Sequence, residues 1–221
     1  MNRSVLIVLS LALVGCQTPP TPPPTKPVSL SSVFRLAKLE EIDSAIGQAI
    51  AAGKAPGAVV RIESGRAVYQ KTFGDKAAKP ERSPMTADTI FDAASLTKVI
   101  ATAPAIALLI EQGKLGLDDR VEKWIPGFKK NGKGAVTIRH LLTHTSGLRP
   151  GLSPRPEWSG VATAIAKAKA EPLTEQPDTK FIYSDINFIL LGEIVRLVSG
   201  ERLDLFVSKN IFQPLGMNDT G

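Results

Sequence analysis

Two side chains able to make and break an acyl bond stand three residues apart in Phe91-Asp92-Ala93-Ala94-Ser95-Leu96-Thr97-Lys98. A serine hydroxyl is a poor nucleophile at its free pKa and needs a base within reach. A lysine serves as that base only where burial or positive surroundings lower its own pKa. Spacing of three on a helix puts Ser95 and Lys98 on one face, about one turn apart. The start of a helix also offers free backbone donors and the positive end of its dipole beside the hydroxyl. Taken alone the pattern is weak, because Ser-x-x-Lys occurs about once by chance in a chain of this size. An N-capping serine followed by an exposed lysine reads the same way.

A second group narrows the choice. In Phe181-Ile182-Tyr183-Ser184-Asp185-Ile186-Asn187-Phe188 a polar Tyr-Ser-Asp leads straight into the apolar run Ile189-Leu190-Leu191-Gly192-Glu193-Ile194-Val195. A tyrosine there is placed to relay a proton between serine, lysine and leaving group; the plainer reading is that Tyr183 packs and Asp185 caps the helix. His140 and His144 stand four apart, the spacing of a metal pair on a helix. Residues 141 and 142 are both Leu, so the Glu that follows the first His in such motifs is missing. No metal and no cofactor are expected.

These residues need elements to hold them. Val33, Leu36, Leu39, Ile42, Ile46 and Ile50 recur at steps of three and four, predicting an amphipathic helix that stops at Gly53. Gly57 to Glu63 and Ala67 to Phe73 are β-prone runs around Ser64-Gly65-Arg66, a hairpin signal. Polar loop is expected to about Asp88, and helices over 94–112, 138–143, 161–170, 185–199 and 203–211. Pro104 lies inside the first of these and removes a backbone donor, which predicts a kink after Lys98. Helix, antiparallel hairpin, then a block of helices is an α+β order. A two-stranded hairpin is too small a sheet to stand alone.

With these segments in view, the chain resembles the β-lactamase-related serine hydrolases, a group with class C β-lactamases, D-alanyl-D-alanine carboxypeptidases and esterases. The resemblance rests on Ser95-Leu96-Thr97-Lys98 and Tyr183-Ser184-Asp185. It extends through Leu108 to Asp119, His140-Leu141-Leu142-Thr143-His144-Thr145-Ser146-Gly147-Leu148, and Pro214 to Thr220. It runs from about residue 40 to the end. It implies a β-lactamase/transpeptidase-like fold: an antiparallel sheet flanked by helices plus a helical subdomain. It further implies Ser95 as the nucleophile of an acyl-enzyme, Lys98 as its base, Tyr183 as an assistant in acylation and deacylation, and structural roles for both histidines. The Ser95 amide would be half of an oxyanion hole.

Two departures bear on that reading. The Lys-Thr-Gly or His-x-Gly strand that supplies the other half in the family is absent from the sequence. The expectation is therefore the N-terminal portion of a longer domain, lacking its C-terminal strands. Asp185 stands where lactamases and peptidases more often carry Asn. An ionised Asp only accepts hydrogen bonds, and beside Lys98 it would favour the ammonium and weaken the base. That weighs against β-lactam hydrolysis and towards an esterase or peptidase, with Asp185 on the substrate side and Asn187 as a substitute donor.

The ends and composition set the context. Arg3 precedes Val5–Val14, apolar or small apart from Ser10 and too short to span a bilayer, which reads as a signal-peptide core. Leu13-Val14-Gly15-Cys16 resembles a bacterial lipobox. Residues 1–15 are then a lipoprotein signal peptide, Cys16 carries the lipid, and 16–30 is a Pro-rich spacer ahead of a domain over 31–221. Gln17 in place of Asp favours the periplasmic face of the outer membrane where a host has two membranes. Cys16 is the single cysteine, so no internal disulfide forms. The net charge of +6 is scattered without like-charge runs, giving no nucleic-acid footprint. The expected function is hydrolysis of an ester or amide, in a small molecule or peptide, at the cell envelope. The rival is a non-catalytic lipoprotein that binds peptidoglycan peptides or a partner.

Overall fold

The computed structural model describes residues 28–77 and 79–221, so the expected signal sequence, Cys16 and most of the Pro-rich spacer lie outside the described residues. The chain divides into two compact units, the first ending at Thr89 and the second running from Ile90 to Gly221.

In the first unit a 3-10 turn, Leu30–Ser32, precedes helix α1, Leu36–Ala51. The expected apolar stripe is real but shallow: Leu39 is buried and Ile42, Ile46 and Ile50 are half-buried, while Val33 lies before the helix and is exposed. Strands β1, Gly57–Ser64, and β2, Ala67–Ala77, pair antiparallel from Gly57↔Gly74 to Ser64↔Ala67. That register leaves a two-residue loop, whose first residue, Gly65, has φ 58. A hairpin turn matched to the strand twist needs that positive φ. Asp43 of α1 accepts the Tyr69 hydroxyl and pairs with Lys71, tying helix to β2. The carboxylate's hydrogen bond pushes the Tyr69 pKa up to about 12. The loop expected after Phe73 is partly strand. β2 continues to Ala77 and pairs with a two-residue β3, Ser83–Pro84, making a three-stranded sheet. Gly74-Asp75-Lys76-Ala77 has little strand propensity, so this extension rests on a partner the sequence pattern does not announce.

The second unit is helical and holds the main core. Its elements are α2, Ala103–Glu111; α3, Val121–Trp124; α4, Ile138–Leu142; α5, Val161–Ala170; α6, Asp185–Ser199; and α7, Leu203–Val207, followed by a π-helical turn over Ser208–Phe212. α6 is its centre: Ile186, Leu190, Leu191, Ile194 and Val195 are fully buried, at steps that keep one face inward. Each such side chain contributes roughly 1.5–3 kcal/mol. They pack with Ala105, Ile106 and Leu109 of α2, with Ile138 and Leu141 of α4, and with Phe128, Leu148, Phe206 and Phe212. α6 begins after Ser184 with Asp185 in its first turn, which complements the helix dipole, and ends at Gly200 in the left-handed conformation. The 94–111 stretch is long and apolar enough to cross a membrane by length and composition. Here Ala101, Ala105, Ile106 and Leu109 of that stretch are buried in this core, while Leu96 and Val99 are exposed.

Candidate active site

Ser95 lies where the chain enters the helical unit. The single helix expected over 94–112 is three pieces: a 3-10 turn at Ala94–Leu96, a π-helical turn at Lys98–Thr102, and α2. The irregularity that Pro104 predicts takes this form. Pro104 has no N–H for the carbonyl four residues earlier, and its ring crowds that carbonyl. The turn before Pro104 is widened, the Ala103 N–H donating to the Lys98 carbonyl five residues back. Ala94 adopts φ 42, a left-handed conformation costing a non-glycine residue roughly 1–3 kcal/mol. Asp92 Oδ1 holds it by accepting the Ala94 N–H at 2.8 Å. Ser95 is thus presented on a strained, braced and exposed turn.

Lys98 Nζ donates to Ser95 Oγ at 3.1 Å and lies 2.7 Å from Asp185 Oδ1. The same nitrogen is 5.1 Å from the centre of the Tyr183 ring and 5.8 Å from that of Phe188. Burial draws the Lys98 pKa down, but Asp185 and Tyr183 outweigh it, and the net displacement is upward. Lys98 is an ammonium at neutral pH. Tyr183 moves the other way: the Ser95 hydroxyl, then the Lys98 ammonium, hold its phenol below the ordinary tyrosine value. The four residues picked from the sequence therefore meet. Ser95, Lys98 and Asp185 share an open cleft of ≈ 420 Å³, with Phe188, Ile189 and Leu203 on its apolar wall.

Tyr183 and Asp185 are held by a seam between two loops. The Ile182 N–H donates to the His144 carbonyl at 2.8 Å and the Asp185 N–H to the Pro150 carbonyl at 2.7 Å. Ser184 donates its N–H to His144 Nδ1 at 3.0 Å and its hydroxyl to the Arg149 carbonyl at 2.6 Å. Beneath lies a buried polar chain: Leu148 N–H to Ser146 Oγ at 3.1 Å, Ser146 Oγ to Asn187 Oδ1 at 2.6 Å, and the Asn187 amide to His144 Nδ1 at 3.3 Å. Every member has a partner, which a polar group in a dry core requires. Gly147 turns the first loop with φ 79, and a side chain there would run into the Glu175 carbonyl.

One expectation is corrected. Asn187 is fully buried and its amide is engaged with Ser146 and His144, so it is not a donor facing substrate. His140 and His144, four apart in sequence, do not share a helix face. His140 accepts the Thr137 N–H in a capping box at the start of α4, and His144 lies beyond the end of that helix with φ 59. Among the described residues no group of three or more metal-ligating side chains occurs. The sequence reading missed the Ser146–Asn187–His144 chain. Its only trace was a polar residue, Asn187, on the inward side of an apolar helix.

The exposed serine, its lysine and the tyrosine loop entering α6 define a class, and the comparisons agree on which. The chain belongs to the β-lactamase family, whose profile matches residues 42–221, with the β-lactamase/transpeptidase-like fold of its solved members. A protein of Escherichia coli (strain K12) described as a candidate D-alanyl-D-alanine carboxypeptidase is 33% identical over 246 residues, covering 100% of this chain and 55% of its own length. Penicillin-binding protein 4* of Bacillus subtilis (strain 168) is 36% identical over 172 residues, covering 74% of this chain and 37% of that protein. The chain thus spans about half the length, or less, of these curated relatives. Among solved structures, a class C β-lactamase in complex with cefoxitin matches with a TM-score of 0.72 at 27% identity, over 83% of this chain and 51% of that one.

Proposed function

We propose that the protein is a serine hydrolase that cleaves an ester or amide through an acyl-serine intermediate, with Ser95 as nucleophile. The observation that carries this reading is the 3.1 Å contact between Ser95 Oγ and Lys98 Nζ, on a strained turn at the edge of an open cleft. Ser95 Oγ bonds to the substrate carbonyl carbon as its proton passes to the Tyr183 phenolate. The leaving alcohol or amine takes that proton back as its bond to the carbonyl breaks. Water then attacks the acyl ester and returns Ser95 to its hydroxyl form. Lys98, named the base from sequence, serves here chiefly as a positive charge: paired with Asp185 it is a poor proton acceptor, but it favours the phenolate. The Ser95 N–H is the oxyanion donor in this scheme.

The relatives' names point to peptide and β-lactam chemistry. Asp185 weighs against efficient β-lactam turnover, since it only accepts hydrogen bonds and its charge raises the Tyr183 pKa, opposing the phenolate. A peptidase or esterase acting on cell-envelope material is the favoured role, with Asp185 touching substrate and Cys16 carrying a lipid anchor. The test is labelling of the full-length protein with a fluorophosphonate and a fluorescent penicillin, beside Ser95→Ala. Labelling that vanishes in Ser95→Ala is the expected result. Labelling that is absent, or indifferent to Ser95, overturns the hydrolase and favours the non-catalytic binding lipoprotein.

A further inference from the structure

Tyr183 carries a catalytic duty in the reading above, yet its side chain is exposed and its ring has no rigid element of its own. One neighbour holds the backbone on both sides of it and packs on its ring. His144 accepts the N–H of Ile182 on its carbonyl at 2.8 Å and the N–H of Ser184 on Nδ1 at 3.0 Å, so it grips the backbone on both sides of Tyr183. Its ring centre lies 4.5 Å from that of Tyr183 at an angle of 38°. Phe188 and Phe181 close around the same imidazole at 5.2 and 5.8 Å. The residue is 8% exposed and holds a positive φ of 59, a conformation that persists only where the surroundings over-determine it.

We propose that His144 is the positioning residue for Tyr183, and that it works only as the neutral imidazole with its proton on Nε2. Nδ1 accepts from both the Ser184 N–H and the Asn187 amide, and it cannot accept while it carries a proton. Protonation would break the grip on Ser184 and set a second cation near Lys98. The charged groups acting on the ring are Lys98, which opposes its protonation, and Asp185, which favours it; the phenol of Tyr183 stacks on it. Burial is the larger influence, and together with Lys98 it holds the His144 pKa below the ordinary histidine value. The clamp therefore stays closed at neutral pH and opens only in acid. This inference rests on the acyl-serine reading and deepens it.

The experiment compares the full-length protein with His144→Asn and His144→Leu, following acylation of Ser95 by a chromogenic ester across pH 5 to 9. Asn tolerates positive φ, and its carbonyl can stand where Nδ1 accepts, without titrating. Leu fills the space and accepts nothing. His144→Leu is expected to lose acylation rate on the order of 100-fold, the scale of a misplaced catalytic group, with KM little changed. His144→Asn is expected to keep most of the neutral rate and to lack the extra acid loss that the wild type shows below its tyrosine limb. A His144→Leu that acylates like the wild type overturns the proposal, as does a His144→Asn that retains the acid loss. Should His144→Leu not fold, the pH profile of His144→Asn decides alone. Failure of wild-type Ser95 to acylate at all would instead overturn the hydrolase reading on which the clamp depends.

Discussion

Lys98 Nζ and Asp185 Oδ1 lie 2.7 Å apart, with the lysine side chain 14% exposed and the aspartate 59%. The pair joins the π-helical turn that follows Ser95 to the first residue of α6. It decides the protonation of the cleft: a mostly buried ammonium that would otherwise shed its proton more easily is held charged by the carboxylate.

Asp185→Asn removes that hold. Asp185 raises the pKa of Lys98 and, through its charge, that of Tyr183, so both groups lose their protons at lower pH in the variant. Acylation rises with pH as the base ionises, and this limb moves towards acid. At pH 7 the rate of acylation by a penicillin should therefore rise above that of the wild type. Stopped-flow acylation across pH 5 to 10 reads it; a limb that stays in place or moves to higher pH would show that the ion pair does not set the base.

Tyr183→Phe keeps the ring that packs on His144 and deletes the phenol. Loss of a positioned general base should cost roughly 10²–10⁴-fold in acylation rate. Thermal unfolding should move little, because the residue is exposed. Single-turnover kinetics with an activated ester, run beside a melting curve, separate a chemical role from a structural one.

Asn187→Ala should unfold the protein at lower denaturant. The substitution strips the Ser146 hydroxyl of its acceptor and leaves a gap in a dry core. Stranding one buried polar group costs roughly 1–3 kcal/mol, and the polar chain it anchors shares the loss. Urea titration followed by circular dichroism checks it. A variant within experimental error of the wild type would mean that water replaces the amide.

Gly147→Ala is the backbone counterpart. The position has φ 79, and a Cβ there collides with the Glu175 carbonyl, which itself lies on the loop whose N–H groups bond back to Gly147. Positive φ alone disfavours alanine by roughly 1 kcal/mol, and moving the 174–175 backbone adds to it. The expected result is a lower melting temperature together with slower acylation, since the displaced loop carries the His144 grip on Tyr183.

Much of this was written in the chain itself. Ser95 and Lys98 on one turn, the Tyr183-Ser184-Asp185 entry to α6, the hairpin with Gly65 at its bend and the inward face of α6 are all local. Spacing of three or four on a helix, alternation on a strand and a glycine at a turn are enforced by backbone geometry within a few residues. The ion pair of Lys98 with Asp185 was legible too, as soon as the two segments were taken to meet. What the sequence did not decide was everything that depends on which surfaces face each other. That the imidazole of His144 lies under Tyr183, that Asn187 points inward to Ser146 and not into the cleft, and that β2 runs on to pair with Ser83–Pro84 follow from packing between distant segments. There the burial of a polar group against one specific partner, not any local preference, selects the arrangement.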